Sequence, residues 1–527
     1  MQAQLFAQKS PQEKGLEAIT RETIQAQLEF LASDWTEGRE TGKKGMYIAS
    51  DYVASMFKYT GIKPGGDNIV RRMRRGMGGP PPKQQRSYFQ NFTLLEPIPD
   101  GSSVITVTKG RKEISFQENV DFRISGASVS TRFNAPVVFV GYGIESADFG
   151  INNFAGVDLK GKIALRLSGF PGQNDTSSVM YKKLMEDRMA AYRLNRNKDE
   201  KLEELGALGV LEIDPNADVA RSWGEMDEAA NLSPNEAAWR SDWARMRLDD
   251  PETINDPVSL TITQKVAKAI LDGTEIDLKT YESDAAQGKS FKPVELKSTV
   301  VGIDARVNTR RVRVRNVVGM IEGENKDEFI AVGAHLDHMG MTGGRVWNGA
   351  DDNASGTVGV MAIAEAFAAT GVKPGKTILF CAWTGEEKGL LGSKYFSLNP
   401  TIGSMDQYKF YLNYDMISRD SPNDEEGINC GVTYTKAYPK LEEITNSNAE
   451  EYGIKLNLNF RPTDDPRGGS DHTSFTDQNV PIMYMMAGFP PEYHTPEDQI
   501  DLVNWDKMLE IIKLGFLDMW EIANSDF

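Results

Sequence analysis

Phe329-Ile330-Ala331-Val332-Gly333-Ala334-His335-Leu336-Asp337 runs without a polar side chain for six residues and then reaches a histidine and, two positions on, an aspartate. A continuous apolar run of this length, bounded by polar residues, reads as a strand buried on both faces. Residues 377–383, 410–414 and 481–486 have the same texture, and residues 354–369 form an apolar helical stretch rich in small side chains. Buried strands alternating with helices predict an α/β domain with a mixed, largely parallel sheet sandwiched by helices. Ligands of such sheets bind beyond the carboxyl ends of the strands.

The polar residues follow that rule. His335 and Asp337 come directly after the first strand, Glu386 and Glu387 just after Trp383, Asp415 directly after Tyr414, and His494 a few residues past Met486. Gly349-Ala350-Asp351-Asp352-Asn353 opens the small-residue helix. The chain has only four histidines, His335, His338, His472 and His494, all after residue 330 and all in polar, glycine-flanked contexts. Imidazole combined with carboxylate suits zinc and neighbouring divalent metals. One bridging carboxylate, with one more histidine and one more carboxylate for each metal, would hold two ions roughly 3.5–4 Å apart. The set gathered here has that stoichiometry.

Outward from this region, 527 residues exceed what one hydrophobic core supports, so two domains are expected. Residues 23–32 and 46–59 carry apolar side chains at helical spacing. Arg71, Arg72, Arg74 and Arg75 lead into Gly76-Met77-Gly78-Gly79-Pro80-Pro81-Pro82, which reads as a solvated loop. From Ala135 short β-rich runs bounded by glycine appear, such as Pro136-Val137-Val138-Phe139-Val140-Gly141-Tyr142-Gly143, followed by charged helical sequence over 181–208. This block contains no histidine. It is read as an insertion over 135–290 that splits the domain bearing the histidines into 1–134 and 291–527. The helices before residue 60 are then expected to pack on the sheet formed after Val300.

A formal net charge of −17 argues against nucleic acid as the main partner. Cys381 and Cys430 are the only cysteines, too few for a disulfide framework or a cysteine-based zinc site. Cys381, inside an apolar run, reads as a small buried hydrophobe. There is no apolar stretch long enough to span a membrane, and Met1 to Gln8 lacks the features of an intact signal peptide.

The residues around the expected site resemble the co-catalytic zinc aminopeptidases, relatives of bacterial leucyl aminopeptidase and glutamate carboxypeptidase. The motifs that carry the resemblance are Gly333-Ala334-His335-Leu336-Asp337, Gly349-Ala350-Asp351-Asp352-Asn353-Ala354-Ser355-Gly356, Thr384-Gly385-Glu386-Glu387-Lys388-Gly389, Asn413-Tyr414-Asp415-Met416-Ile417, Ser470-Asp471-His472 and Tyr493-His494-Thr495-Pro496-Glu497-Asp498. It covers residues 316–527, and more loosely 17–130. The resemblance implies the zinc exopeptidase fold and two Zn²⁺ ions. His335 and Asp415 would bind one ion, Glu387 and His494 the other, with Asp351 bridging both. It further implies Glu386 as general base, Asp337 as the group orienting His335, and a cis peptide after the bridging residue, at Asp351–Asp352. Asp352, Asp471 and His472 are expected to shape the pocket or support the ligands, and His338 to lie at the pocket rim.

The inserted block resembles a protease-associated domain through Val138-Phe139-Val140-Gly141-Tyr142-Gly143, Phe154-Ala155-Gly156-Val157-Asp158-Leu159-Lys160-Gly161-Lys162 and Gly206-Ala207-Leu208-Gly209-Val210-Leu211. The expected activity is release of N-terminal residues from peptides by metal-activated water. A carboxypeptidase, a glutaminyl cyclase-like enzyme and a catalytically silent binding relative are the alternatives. Family members with such an insertion imply a secreted or periplasmic protein acting on peptides.

Overall fold

The computed structural model describes residues 9–69, 85–127, 129–186, 188–214, 246–249, 257–342 and 344–526. The arginine-rich stretch after Ile69 and most of the charged segment following Asp214 lie outside the described residues.

The chain forms two compact units, divided between Leu94 and Leu95 and between Arg311 and Val312. The unit holding the histidines is built on a mixed sheet. Asn325–His335 lies between Lys376–Trp383 and Tyr408–Tyr414, parallel to both, and Ile482–Met486 continues the parallel run beside Tyr408–Tyr414. Val307–Ile321 flanks Lys376–Trp383 in antiparallel register, and Asn429–Thr435 runs antiparallel to Ile482–Met486 at the other side.

The apolar runs become central strands because both faces of the sheet are covered. All eight residues of Lys376–Trp383 are buried. Side chains alternate between the faces, as the twofold repeat of a strand requires. Ile330, Val332, Ala334, Ile378, Phe380 and Ala382 enter one core, while Phe329, Ala331, Leu379, Cys381 and Trp383 enter another. The first core is roofed by Gly356–Thr370 and Trp505–Asn524 together with the early helices Arg21–Leu31 and Lys44–Tyr59, whose Ile24, Leu28, Leu31, Val53 and Phe57 are buried in it. On the opposite face Phe396 and Phe475 meet Trp383 and Tyr411, with Tyr411 and Phe475 stacked at 3.7 Å between ring centroids.

The second unit carries a sheet in the order Lys112–Gln117, Val104–Lys109, Val294–Ala305, Thr131–Phe139, Ile163–Leu167, Gly209–Ile213, Val258–Ile262, Phe122–Gly126. Its four strands from Thr131–Phe139 to Val258–Ile262 are parallel, and the helices Val179–Glu186 and Arg188–Glu204 connect Ile163–Leu167 to Gly209–Ile213, so the unit is α/β rather than simply β-rich. It also exceeds the expected 135–290. The hairpin of Val104–Lys109 and Lys112–Gln117 joins the unit by pairing with Val294–Ala305, a long-range contact that local texture does not report.

No helix among the described residues is long and apolar enough to cross a membrane.

Candidate metal centre

The parallel strands deliver their carboxyl ends to one edge. His335 is the last residue of its strand, Asp415 directly follows Tyr414, and Glu386 and Glu387 lie three and four residues past Trp383. His494 arrives on the loop after Met486 with a left-handed backbone, φ 55°.

At the centre is Asp352. Its Oδ1 lies 3.2 Å from His335 Nε2 and its Oδ2 lies 3.0 Å from His494 Nε2. His335 Nε2 is also 3.3 Å from Asp415 Oδ1, and His494 Nε2 is 3.4 Å from Glu387 Oε2. Two imidazoles thus address opposite oxygens of one carboxylate, each with a further carboxylate alongside. Burial pushes the Asp352 carboxyl up, but the imidazoles of His335 and His494 overcome it and hold the group well below the usual carboxylate range.

Asp351, expected as the bridge, is not in this cluster. Its Oδ1 accepts from the main-chain N–H and the hydroxyl of Ser418, each at 2.8 Å. Burial and the neighbouring Asp498 raise its carboxyl well above the ordinary range. The cis peptide is likewise one residue later than expected, at Asp352–Asn353. Two adjacent aspartates point in opposite directions here, and the pattern Asp351-Asp352 alone does not say which one faces the histidines. Asp498 fixes the choice by accepting the N–H groups of Asp351, at 3.1 Å, and Asp352, at 3.0 Å. Gly349 makes the approach to this segment possible. Its φ of +52° is left-handed, and a Cβ there would come within 2.4 Å of the His338 ring.

Asp337 also acts differently from its expected role. His335 Nδ1 meets the main-chain carbonyl of Asp337 at 3.0 Å. The Asp337 carboxylate instead accepts from the Thr41 hydroxyl at 2.7 Å and from the Glu386 main-chain N–H at 3.1 Å. It positions Glu386, not the imidazole. His338 is buried rather than at a rim, and its Nδ1 lies 2.7 Å from Glu387 Oε1. Glu387 therefore has one oxygen toward His338 and the other toward His494.

Glu386 Oε2 lies 3.9 Å from His335 Nε2, and its side chain keeps 13% exposure against 5% for Glu387. Burial raises its carboxyl well above the usual range, with Glu387, Asp415 and Asp471 adding to the effect and His335 opposing it. Asp471 is fully buried, and burial lifts its carboxyl to about 7. His472 stacks on Tyr484 at 4.7 Å between ring centroids, and burial pushes its imidazole down to about 4. Asp498, Thr41 and Ser418 were invisible as supporting residues in the sequence. Asp498 lies inside a quoted motif, but its contacts cross 146–147 residues of chain.

The donor set suits a divalent metal. His335, Asp352 and Asp415 have ligand atoms close enough to share one ion, and so do His338, Asp352 and Glu387; His494 Nε2 approaches the same Asp352 and Glu387 carboxylates. Neutral imidazole and carboxylate are the donors zinc takes. An α/β domain with a cluster of histidines and carboxylates at the carboxyl ends of its parallel strands is the class defined by fold and site. Residues 316–515 match the model of Peptidase family M28. The probable leucine aminopeptidase 2 of Aspergillus fumigatus is 30% identical over 194 residues, 35% of each chain. Aminopeptidase Y of Saccharomyces cerevisiae is 27% identical over 216 residues, 38% of each chain. The match thus spans little more than a third of the length of these curated relatives. The aminopeptidase from Aneurinibacillus sp. strain AM-1 shares the fold, with a TM-score of 0.53 at 16% identity over 98% of this chain and 97% of that one.

Proposed function

We propose that the protein is a two-zinc aminopeptidase that removes N-terminal residues from peptides. The observation that carries this reading is Asp352, whose two carboxylate oxygens each face a different histidine. In this reading His335, Asp352 and Asp415 would hold one ion, and Asp352, Glu387 and His494 the other, with Asp352 rather than Asp351 shared between them. Two bound zinc ions would polarise the scissile carbonyl and lower the pKa of the attacking water. Glu386 accepts the proton of that water and returns it to the leaving amine. Its remaining exposure, and the Asp337 carboxylate holding its main-chain N–H, support that role. His338 holds the second oxygen of Glu387 and so fixes that ligand's orientation, as partners behind metal ligands do.

The names of the fungal relatives favour an aminopeptidase over a carboxypeptidase within the same family. The test is hydrolysis of aminoacyl-arylamides and of peptides blocked at either end, after zinc loading. The reading predicts release of free amino acid from peptides with a free N-terminus and none from N-blocked ones. Release from N-blocked peptides with a free C-terminus contradicts it.

A further inference from the structure

Arg39 is far in sequence from every residue discussed above as a ligand, yet it lies at the hub of the loops that carry two of them. It is fully buried. Its Nε donates to the Leu336 carbonyl at 2.8 Å, one residue past His335. Nη1 donates to the carbonyls of Asn348 at 2.6 Å and Leu31 at 2.7 Å, and Nη2 to that of Gly349 at 2.9 Å. The main-chain carbonyl of Arg39 in turn accepts the N–H of His338 at 3.2 Å. One guanidinium thereby joins the strand-end loop of His335 to the segment that enters Asp352 three residues later, and anchors both to the end of the helix Arg21–Leu31.

The local backbone is shaped to bring it there. Glu37, Gly38 and Arg39 all have left-handed φ, at 50°, 66° and 52°. A Cβ on Gly38 would come within 2.3 Å of the Gly340 carbonyl oxygen and 2.5 Å of that of Trp347. Two non-glycine residues in that conformation within three positions persist only where the surroundings hold them.

The guanidinium donates to carbonyls rather than to a carboxylate in these four contacts, so its charge remains available to the cluster. Burial lowers its pKa to about 10, while Asp352, Asp498, Asp337 and Glu387 act to keep it charged. Arginine suits this place because several donors diverge in a rigid plane, whereas a lysine offers donors from one point.

We propose that Arg39 is a positioning residue which sets the separation between His335 and Asp352, and through it the zinc affinity of the site. This rests on the metal-site reading given above. Its role is to hold the two loops in register before any ion arrives, which lowers the reorganisation that binding would otherwise require.

The test is zinc titration of chelator-stripped protein against a competing chromophoric chelator, for wild type, Arg39→Lys, Arg39→Met and His335→Ala. Leu441→Ala, in the helix Lys440–Tyr452, serves as a control that lowers Tm through the core and leaves the metal loops alone. Arg39→Met is expected to weaken zinc binding by about 10–100-fold, the range typical of partners that orient ligands. Arg39→Lys should fall between Met and wild type, and Leu441→Ala should match wild type in zinc affinity whatever its Tm. If Arg39→Met fails to fold, the comparison of Arg39→Lys with Leu441→Ala carries the same decision. Unchanged zinc affinity in the Arg39 variants, with only Tm lowered, overturns this proposal alone. Wild type that takes up no zinc, or His335→Ala that binds as wild type does, overturns the metal-site reading and this proposal with it.

Discussion

Glu386 and Glu387 are neighbours in the chain with different surroundings. Glu387 is divided between His338 and His494, while Glu386 has only a 3.9 Å approach to His335 and a main-chain tether to Asp337. The two should therefore fail in different ways. Glu386→Gln is nearly isosteric and cannot take a proton, so kcat should fall by about 10²–10⁴-fold, with zinc affinity and KM little changed. Glu387→Gln should weaken zinc binding first, and excess zinc should restore part of its activity. Steady-state kinetics at saturating zinc, beside a zinc titration of each variant, separates these outcomes. Near-normal kcat for Glu386→Gln would remove it from the proton-transfer role.

The segment Gly349–Ser355 shows what the sequence carried and what it withheld. The central strands were legible because burial on both faces leaves a continuous apolar run, and the residues after them were legible as chemistry because such sheets place ligands there. The choice between Asp351 and Asp352 was not legible. It depends on a backbone reversal held by Asp498, and no local periodicity encodes a contact made across that length of chain. For the same reason the sequence does not show that the Asp337 carboxylate reaches Glu386 and Thr41 rather than the His335 imidazole. Asp498→Asn tests the segment as an element. An amide offers one acceptor oxygen where the carboxylate offers two, so Asp352 should lose its alignment. Zinc affinity should fall by about 10–100-fold with the far-ultraviolet circular dichroism unchanged. Zinc affinity equal to wild type would mean that Asp498 does not hold the segment in place.

At the scale of the whole unit, stability should depend on pH through a buried group that takes no part in the metal centre. Asp518, in the helix Trp505–Asn524, is fully buried and accepts from the Thr445 hydroxyl and the Asn448 amide, each at 2.8 Å. Burial raises its carboxyl to about 7, against those two hydrogen bonds, while in the unfolded chain it titrates near about 3.9. The folded state thus holds the proton more tightly than the unfolded state between these values. The contribution is fully present below about pH 4 and is lost as pH rises to about 7. Denaturant unfolding of Asp518→Asn and wild type across this range should show the variant gaining on wild type by about 1.4 kcal/mol per pH unit inside the window, and a constant difference outside it. A difference independent of pH would show that Asp518 keeps an ordinary pKa in the fold. The division into two units was only partly legible at this scale, because the strands Val104–Lys109 and Lys112–Gln117 join the second unit through pairing with Val294–Ala305, far along the chain.

The central claim is a two-ion centre bridged by Asp352, and zinc stoichiometry in the adjacent-aspartate pair tests it most directly. Chelator-stripped wild type, Asp351→Asn and Asp352→Asn are titrated with zinc by isothermal calorimetry. Wild type should bind two ions. Asp351→Asn should still bind two, since its carboxylate is committed to Ser418. Asp352→Asn should lose tight binding of both, because its two oxygens face the two histidines. Two tightly bound ions in Asp352→Asn, or loss of both in Asp351→Asn alone, would contradict the account.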